Sequence, residues 1–310
     1  MTNLSGRANT VRRTVGSPEA VAATDWLLPM ASRLNFVRRL AKRRTAAVSF
    51  LILFAVVVLA VLAPVLPIAD PNQINTVDRL LPPGQAGHLL GTDELGRDLL
   101  SRMIWGGRVS LVAGFGAALL SLLIGGSIGL VAGFFGKGVD SALMRLTDVV
   151  LAFPSILLAI GVIAALGSGL ANAMFAVAIS GFPLYARVVR GSVLSVRELD
   201  FVEAARSIGM SSVHIVIRHI LPNVLAPLIV AFSLDVGLKI VVTSSLSFLG
   251  LGAQPPTADW GNMISSGRNY MRTSTHLIMI PGLAIFTVVL CLNVTGDRIR
   301  DVLDPRLKNT

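Results

Sequence analysis

Val109-Ser-Leu-Val-Ala-Gly-Phe-Gly-Ala-Ala-Leu-Leu-Ser-Leu-Leu-Ile-Gly-Gly-Ser-Ile-Gly-Leu-Val-Ala-Gly-Phe-Phe135 runs for 27 residues without an Asp, Glu, Lys, Arg or His. About 20 apolar residues suffice to carry a helix across a hydrocarbon core of about 30 Å. A helix also satisfies its own backbone where no water is present. Gly125, Gly129 and Gly133 recur at every fourth position of this run. Such a small-xxx-small stripe lets a second helix backbone approach closely. Glycine is also simply common in membrane helices; either way the run belongs in a packed helical bundle.

Five more apolar runs flank it: Thr45–Ile68, Ala142–Leu166, Ala171–Val189, Val224–Gly250 and His276–Val294. The expected fold is therefore all-α, a polytopic membrane protein with six transmembrane helices. With 53% hydrophobic and 14% charged residues, the composition sits in the membrane class. Thr45–Ile68 lies too far from the N-terminus, and is too long, for a cleavable signal peptide. It reads as an anchor helix ending near Pro64 and Pro67. Cys291, the single cysteine, lies in an apolar run, so no disulfide within the chain and no Cys-based metal site is expected.

The net charge of +10 comes from basic residues at the ends of apolar segments, so nucleic acid is not an expected partner. Residues 1–44 carry nine Lys/Arg against Glu19 and Asp25, which places this tail in the cytoplasm. Six spans then put residues 69–108 outside as a polar segment ending in an amphipathic helix. Residues 109–296 form a five-helix core with a cytoplasmic loop at about 197–222, and residues 297–310 form a cytoplasmic tail.

That loop is the most informative polar segment. Glu198-Leu-Asp-Phe-Val-Glu-Ala-Ala-Arg-Ser-Ile-Gly-Met-Ser-Ser212 reads as a helix stopped by Gly209, a residue suited to a left-handed end. Ser211 or Ser212 then caps a second short helix with Val213, Ile217 and Ile220 on its apolar face. Pro222 is expected to end that helix and redirect the chain into the fifth span. A helix–turn–helix of this kind gives a membrane subunit a surface to engage a soluble motor; an ordinary amphipathic loop is the other reading.

Glu203-Ala204-Ala205, Gly209 and the run His219-Ile220-Leu221-Pro222 resemble the EAA loop of ABC importer permeases. His219 departs from the isoleucine usual there. The resemblance implies a type I importer permease fold and a loop that docks into an ATP-binding subunit. The coupling residues it implies are Glu203, Ala204, Ala205, Arg206, Gly209, His219, Leu221 and Pro222. Three other segments are similar to the dipeptide/oligopeptide/nickel branch, as its C-type permease: His88 to Arg102 with Gly106, Arg108 and Ser110; Ser245 to Asn262; and Gly296 to Arg306. The resemblance covers roughly residues 35–308. It implies a permease subunit importing dipeptides or oligopeptides, or nickel, across a bacterial-type plasma membrane. The implied partners are a homologous permease, two ATP-binding subunits that hold ATP and Mg²⁺, an external solute-binding protein and the bilayer; this chain itself holds no cofactor.

Charged positions elsewhere carry further expectations. Gly91, Gly96, Asp93, Glu94, Arg97 and Asp98 suggest a turn and a charged helix at the outer interface, as a contact for the binding protein or as a solvated face. Trp105 and Trp260 are expected near the outer boundary. Asp235 and Lys239 share one face inside the fifth span. Either they compensate each other or they line the translocation path. No G-x-x-x-x-G-K-[ST] motif is present, the nearest fragment being Gly136-Lys137-Gly138, so any ATPase is on another polypeptide. No His/Cys cluster with zinc spacing and no Ser/His/Asp constellation points to enzymatic chemistry. An ion-coupled secondary transporter, the competing class, is expected to show repeats with interrupted helices or several buried acids.

Overall fold

The computed structural model describes residues 44–303, and the fold is all-α. The tail expected over residues 1–44 lies outside the described residues except for Arg44, as do Pro305 and Arg306. Long helices are α1 (Arg44–Leu62), α2 (Leu99–Phe135), α5 (Leu170–Arg197), α8 (Leu221–Phe248) and α10 (His276–Leu303). Shorter ones are α3 (Lys137–Leu151), α4 (Ser155–Leu166), α6 (Asp200–Ser207), α7 (Ser212–Ile215) and α9 (Trp260–Gly267). Among the described residues five helices are long and apolar enough to cross a membrane, or six if α3 and α4 together form one bent span.

That bend corrects the straight span expected over Ala142–Leu166: α3 and α4 meet at 91°. Between them lies Ala152-Phe153-Pro154, and a proline disfavours helix in the residue before it. α3 also carries Asp140 and Asp148, which pair with Arg190 and Arg187 of α5. Three other boundaries move. α1 stops at Leu62 rather than Ile68, two residues before Pro64. No separate amphipathic helix occupies residues 69–108; α2 begins at Leu99 and continues unbroken into the second span. Residues 297–303, expected in a tail, extend α10.

The glycine stripe does what its spacing promised. A Cβ on Gly125 or Gly129 would overlap the carbonyl oxygens of Phe182 or Ala186, and one on Gly133 would sit 2.8 Å from Val193 Cβ. Backbone therefore meets backbone along α2 and α5. Higher on α2, Gly114 packs against Ile240 of α8, which lies against both other helices. α10 covers α8, and α1 packs outside α10 with most of its large apolar side chains exposed. That exposure suits lipid, which offers such side chains the environment that water denies them.

Candidate functional site

The loop between α5 and α8 is built as two pieces with one hinge. Asp200 and Glu203 stand in the first turn of α6 and Arg206 in its last, the arrangement the helix dipole favours. Gly209 has φ of +78°; its amide donates to Arg206 O (2.9 Å) and the Met210 amide to Ala205 O (3.1 Å). This is a Schellman ending, and it consumes the last carbonyls of α6. Ser211 caps α7 by accepting from the His214 amide.

After α7 the expected break at Pro222 is absent. Val216–Ile220 forms a π turn that runs straight into α8, with the Leu221 amide donating to Val216 O. Pro222 lies in the first turn of α8, where the wider turn accommodates a ring that would otherwise press on the carbonyl four residues back. The π turn also changes the buried face. Ile215 and Ile220, five residues apart, are buried, while Val213 and Ile217 are 67% and 60% exposed. Ile208, beside the hinge, is 74% exposed.

The residues expected at the coupling surface divide accordingly. Glu203, Ala204, Arg206 and Gly209 are exposed, and Ala205 is buried. His219, Leu221 and Pro222 are half-buried, with the His219 ring 6.2 Å from Phe201 and 6.4 Å from His214 between centroids. Arg206 places its guanidinium 5.5 Å from the Phe134 ring at the end of α2. Arg197 donates to Gly133 O at 2.8 Å. Loop and helix ends are thus held together.

Val202, Ala205, Ile215 and Ile220 share one buried cluster with Phe134, Val189 and Tyr185. Tyr185 carries that cluster to the polar centre of the bundle. Its hydroxyl donates to Asp235 Oδ2 at 3.0 Å, and Lys239 Nζ lies 3.8 Å from the same oxygen. Both charged residues are buried. The Lys239 ammonium packs on Gly181 of α5, next to Ser121 of α2. Spacing alone found Asp235 and Lys239; Tyr185 sits 50 residues away on another helix and left no local signal.

At the opposite end, the charged helix expected around Asp93 is instead a folded turn. Asp93 accepts from Arg97 (Nε to Oδ2, 2.6 Å), Arg102 Nε lies 3.2 Å from the same oxygen, and Glu94 pairs with Arg97 at 3.1 Å. Asp93 and Arg97 are buried, so their charges neutralise each other inside the fold. Asp98 caps α2, accepting from the Ser101 amide at 2.7 Å and lying 2.9 Å from His88 Nδ1. Trp260 is a core residue, with Nε1 donating to Met103 O at 3.0 Å. Gly107 leaves room for it on α2, since a Cβ there would sit 2.8 Å from the indole.

Asp259 was missed by sequence reasoning. It accepts from Ser110 Oγ at 2.6 Å and from the Asn262 amide at 3.2 Å, tying the loop after α8 to α2. Burial pushes its carboxyl above the usual range, opposed by hydrogen bonds from Ser110, Asn262, Ser247 and Gly261. Among the described residues, no group of three or more His, Cys, Asp or Glu could hold a metal ion.

Comparison with known proteins meets this geometry at both ends of the chain. Residues 125–309 match the family model of the binding-protein-dependent transport system inner membrane component. Residues 34–83 match the N-terminal TM domain of oligopeptide transport permease C. The chain is 43% identical over 275 residues to the glutathione transport system permease protein GsiD of Pectobacterium atrosepticum, covering 89% of this chain and 91% of that one. It is 42% identical to the dipeptide transport system permease protein DppC of Alkalihalophilus pseudofirmus, covering 88% and 89%. It is 45% identical to a putative peptide transport system permease protein of Brucella suis, covering 94% and 98%. Among solved structures, an inward-facing MetNI methionine ABC transporter matches in fold with a TM-score of 0.53 and 19% identity, covering 66% of this chain and 98% of that one. The chain belongs to the ABC importer permeases, in their C-type peptide/nickel branch, and is a multi-pass inner-membrane permease subunit.

Proposed function

We propose that this permease imports dipeptides or oligopeptides as one half of a translocation path, paired with a homologous permease. Two ATP-binding subunits hold ATP and Mg²⁺, and an external solute-binding protein delivers the solute. Both termini face the cytoplasm, in line with the basic tail and the basic loop at 197–222. The observation that carries the coupling role is the loop's division of its apolar residues. Val202, Ala205, Ile215 and Ile220 anchor it, while Ile208, Val213 and Ile217 remain on its outer surface. That exposed strip, with Glu203, Ala204, Arg206 and Gly209 beside it, is the surface offered to an ATP-binding subunit. His219, Leu221 and Pro222 support it from the π turn.

Closure of the ATPase dimer moves the loop, and the bundle switches between two packings biased by nucleotide. Asp235 and Lys239 take part in translocation at the junction of α2, α5 and α8, where relative movement of helices changes their pairing. Asp93, Glu94, Arg97 and Asp98 act on the binding protein indirectly, by shaping the outer segment that meets it. The peptide reading rests on relatives named for glutathione, dipeptide and peptide transport.

The test is uptake of labelled dipeptide, longer peptide and nickel in cells with and without the gene. Peptide uptake should vanish on deletion, return with the wild-type gene and stay absent with Glu203→Ala plus Gly209→Pro. Loss of nickel uptake alone would replace the substrate, and no change in any of the three would contradict the reading.

A further inference from the structure

At the end of the bundle that holds the Asp93 turn, a cleft of about 490 Å³ opens between three walls. Asn72 of the outer segment forms one wall, Trp105, Arg108 and Val112 of α2 the floor, and Leu170 and Thr257 the far side. The walls are fixed before any ligand arrives. Arg102 donates to Pro71 O at 2.9 Å, holding the outer segment on α2. Ser110 bonds both Asp259 Oδ1 (2.6 Å) and the Trp260 amide (3.1 Å), holding the loop that carries Thr257. The Gly169 amide donates to Leu251 O at 3.2 Å, which fixes the start of α5 to the same loop.

Inside this frame Arg108 is exposed, with its guanidinium 5.9 Å from the Trp105 ring centroid. Stacking on an indole orients the cation without neutralising it. Among the described residues Arg108 forms no ion pair, whereas Arg97, Arg102, Arg187, Arg190 and Arg197 each do. Asp259 lies near in sequence to the Thr257 wall, but its oxygens are engaged by Ser110 and Asn262. A concave site with mostly apolar walls and one oriented cation has the character of a small-molecule site.

We propose that this cleft is a peptide-carboxylate site at the outer mouth: Arg108 receives the C-terminal carboxylate of the incoming peptide through two parallel N–H···O bonds, and Trp105, Val112 and Leu170 take its side chain. The proposal rests on the peptide-import reading above. A guanidinium suits this task because its planar fork matches a carboxylate, a match that lysine lacks.

The experiment uses the complete transporter with its binding protein in proteoliposomes. It compares wild type, Arg108→Gln, Arg108→Lys and Trp105→Phe in uptake of a labelled dipeptide and in affinity for the peptide-loaded binding protein. Arg108→Gln should lower dipeptide uptake by about 10-fold or more, the loss expected for a charge-assisted hydrogen-bond pair. Arg108→Lys should recover only part of it, and Trp105→Phe should fall between. Affinity for the binding protein should stay within about twofold, which also reports correct folding. Uptake unchanged in Arg108→Gln would overturn the proposal. So would a loss of binding-protein affinity matching the loss of uptake, which would assign Arg108 to a protein contact. Wild type that takes up no dipeptide would overturn the peptide reading itself, a result separable from both.

Discussion

Tyr185 donates its hydroxyl to Asp235 Oδ2 at 3.0 Å, joining α5 to α8 at the place where Lys239 also reaches that carboxylate. Because Tyr185 belongs to the same buried cluster as Val202 and Ala205, this bond is one packed layer away from the loop between α5 and α8. The loop is thereby connected through packed side chains to Asp235 and Lys239, the two charged residues of α8, both buried. That is a spatial connection, and its energetic content is open to measurement.

Removing Asp235 alone should cost more than neutralising Asp235 and Lys239 together. Asp235→Ala leaves the Lys239 ammonium buried and unpaired, a loss of about 3–5 kcal/mol. Tyr185→Phe should cost about 1–3 kcal/mol, since it leaves a buried acceptor with one donor fewer. Asp235→Asn with Lys239→Met should be less destabilising than Asp235→Ala. Thermal unfolding of the purified complex checks the order. If the double variant also kept the wild-type transport rate and substrate preference, the pair would have no part in the path.

Gly129 and Gly126 lie three residues apart on α2 but meet different surroundings. A Cβ at Gly129 overlaps Ala186 of α5, while one at Gly126 meets nothing within 4 Å. Gly129→Ala should therefore destabilise by about 1–3 kcal/mol through overpacking. Gly126→Ala should be neutral or slightly stabilising, because alanine is the better helix former. Equal melting temperatures for the two variants would mean that the α2–α5 contact is not the close one described.

Gly209 presents the opposite situation, open space with a demanding backbone. Nothing lies within 4 Å of a Cβ there, yet φ is +78°. Gly209→Ala should cost about 1–2 kcal/mol from conformation alone, and Gly209→Asn less, since asparagine tolerates the left-handed region. Transport rates that follow the same order, Gly above Asn above Ala, would tie the hinge to function.

Much of the architecture was legible because apolar runs of bilayer length need no partner to declare themselves. Val109–Phe135 and its glycine stripe announced a helix and the face on which another could approach, though not that α5 would be the neighbour. The bend at Pro154 was hidden by the apolar residues around it, although Arg145 and Asp148 inside the expected span were a warning. The buried face of the loop between α5 and α8 was misread for a geometric reason. A period of 3.6 selects Val213, Ile217 and Ile220, whereas the π turn buries Ile215 and Ile220. The bonds made by Tyr185, Ser110 and Asp259 left no local signal, because the partners lie 50 and 149 residues apart.

Asp259 gives a pH-dependent signature. Its carboxyl is raised by burial, so the folded state holds the proton to a higher pH than the unfolded chain. Ionisation therefore costs folded stability, starting near the unfolded value of about 3.9 and ending once the raised folded value is passed. Asp259→Asn removes that titration and keeps an acceptor for Ser110. The melting temperature of Asp259→Asn minus that of wild type should rise with pH across this window. A difference that stays flat, or falls, would contradict the assignment.

The most direct test of the coupling surface is chemical cross-linking from the exposed strip of the loop. Cysteine placed at Ile208 or Ile217, in a chain with Cys291 replaced by Ala, is reacted with the co-expressed ATP-binding subunit. The same is done at Ile215 and Ile220, which face the interior. Such a surface should give products from Ile208→Cys and Ile217→Cys whose yield changes with ATP, and none from Ile215→Cys or Ile220→Cys. Products from the interior pair, or none from the exposed pair while transport persists, would contradict it.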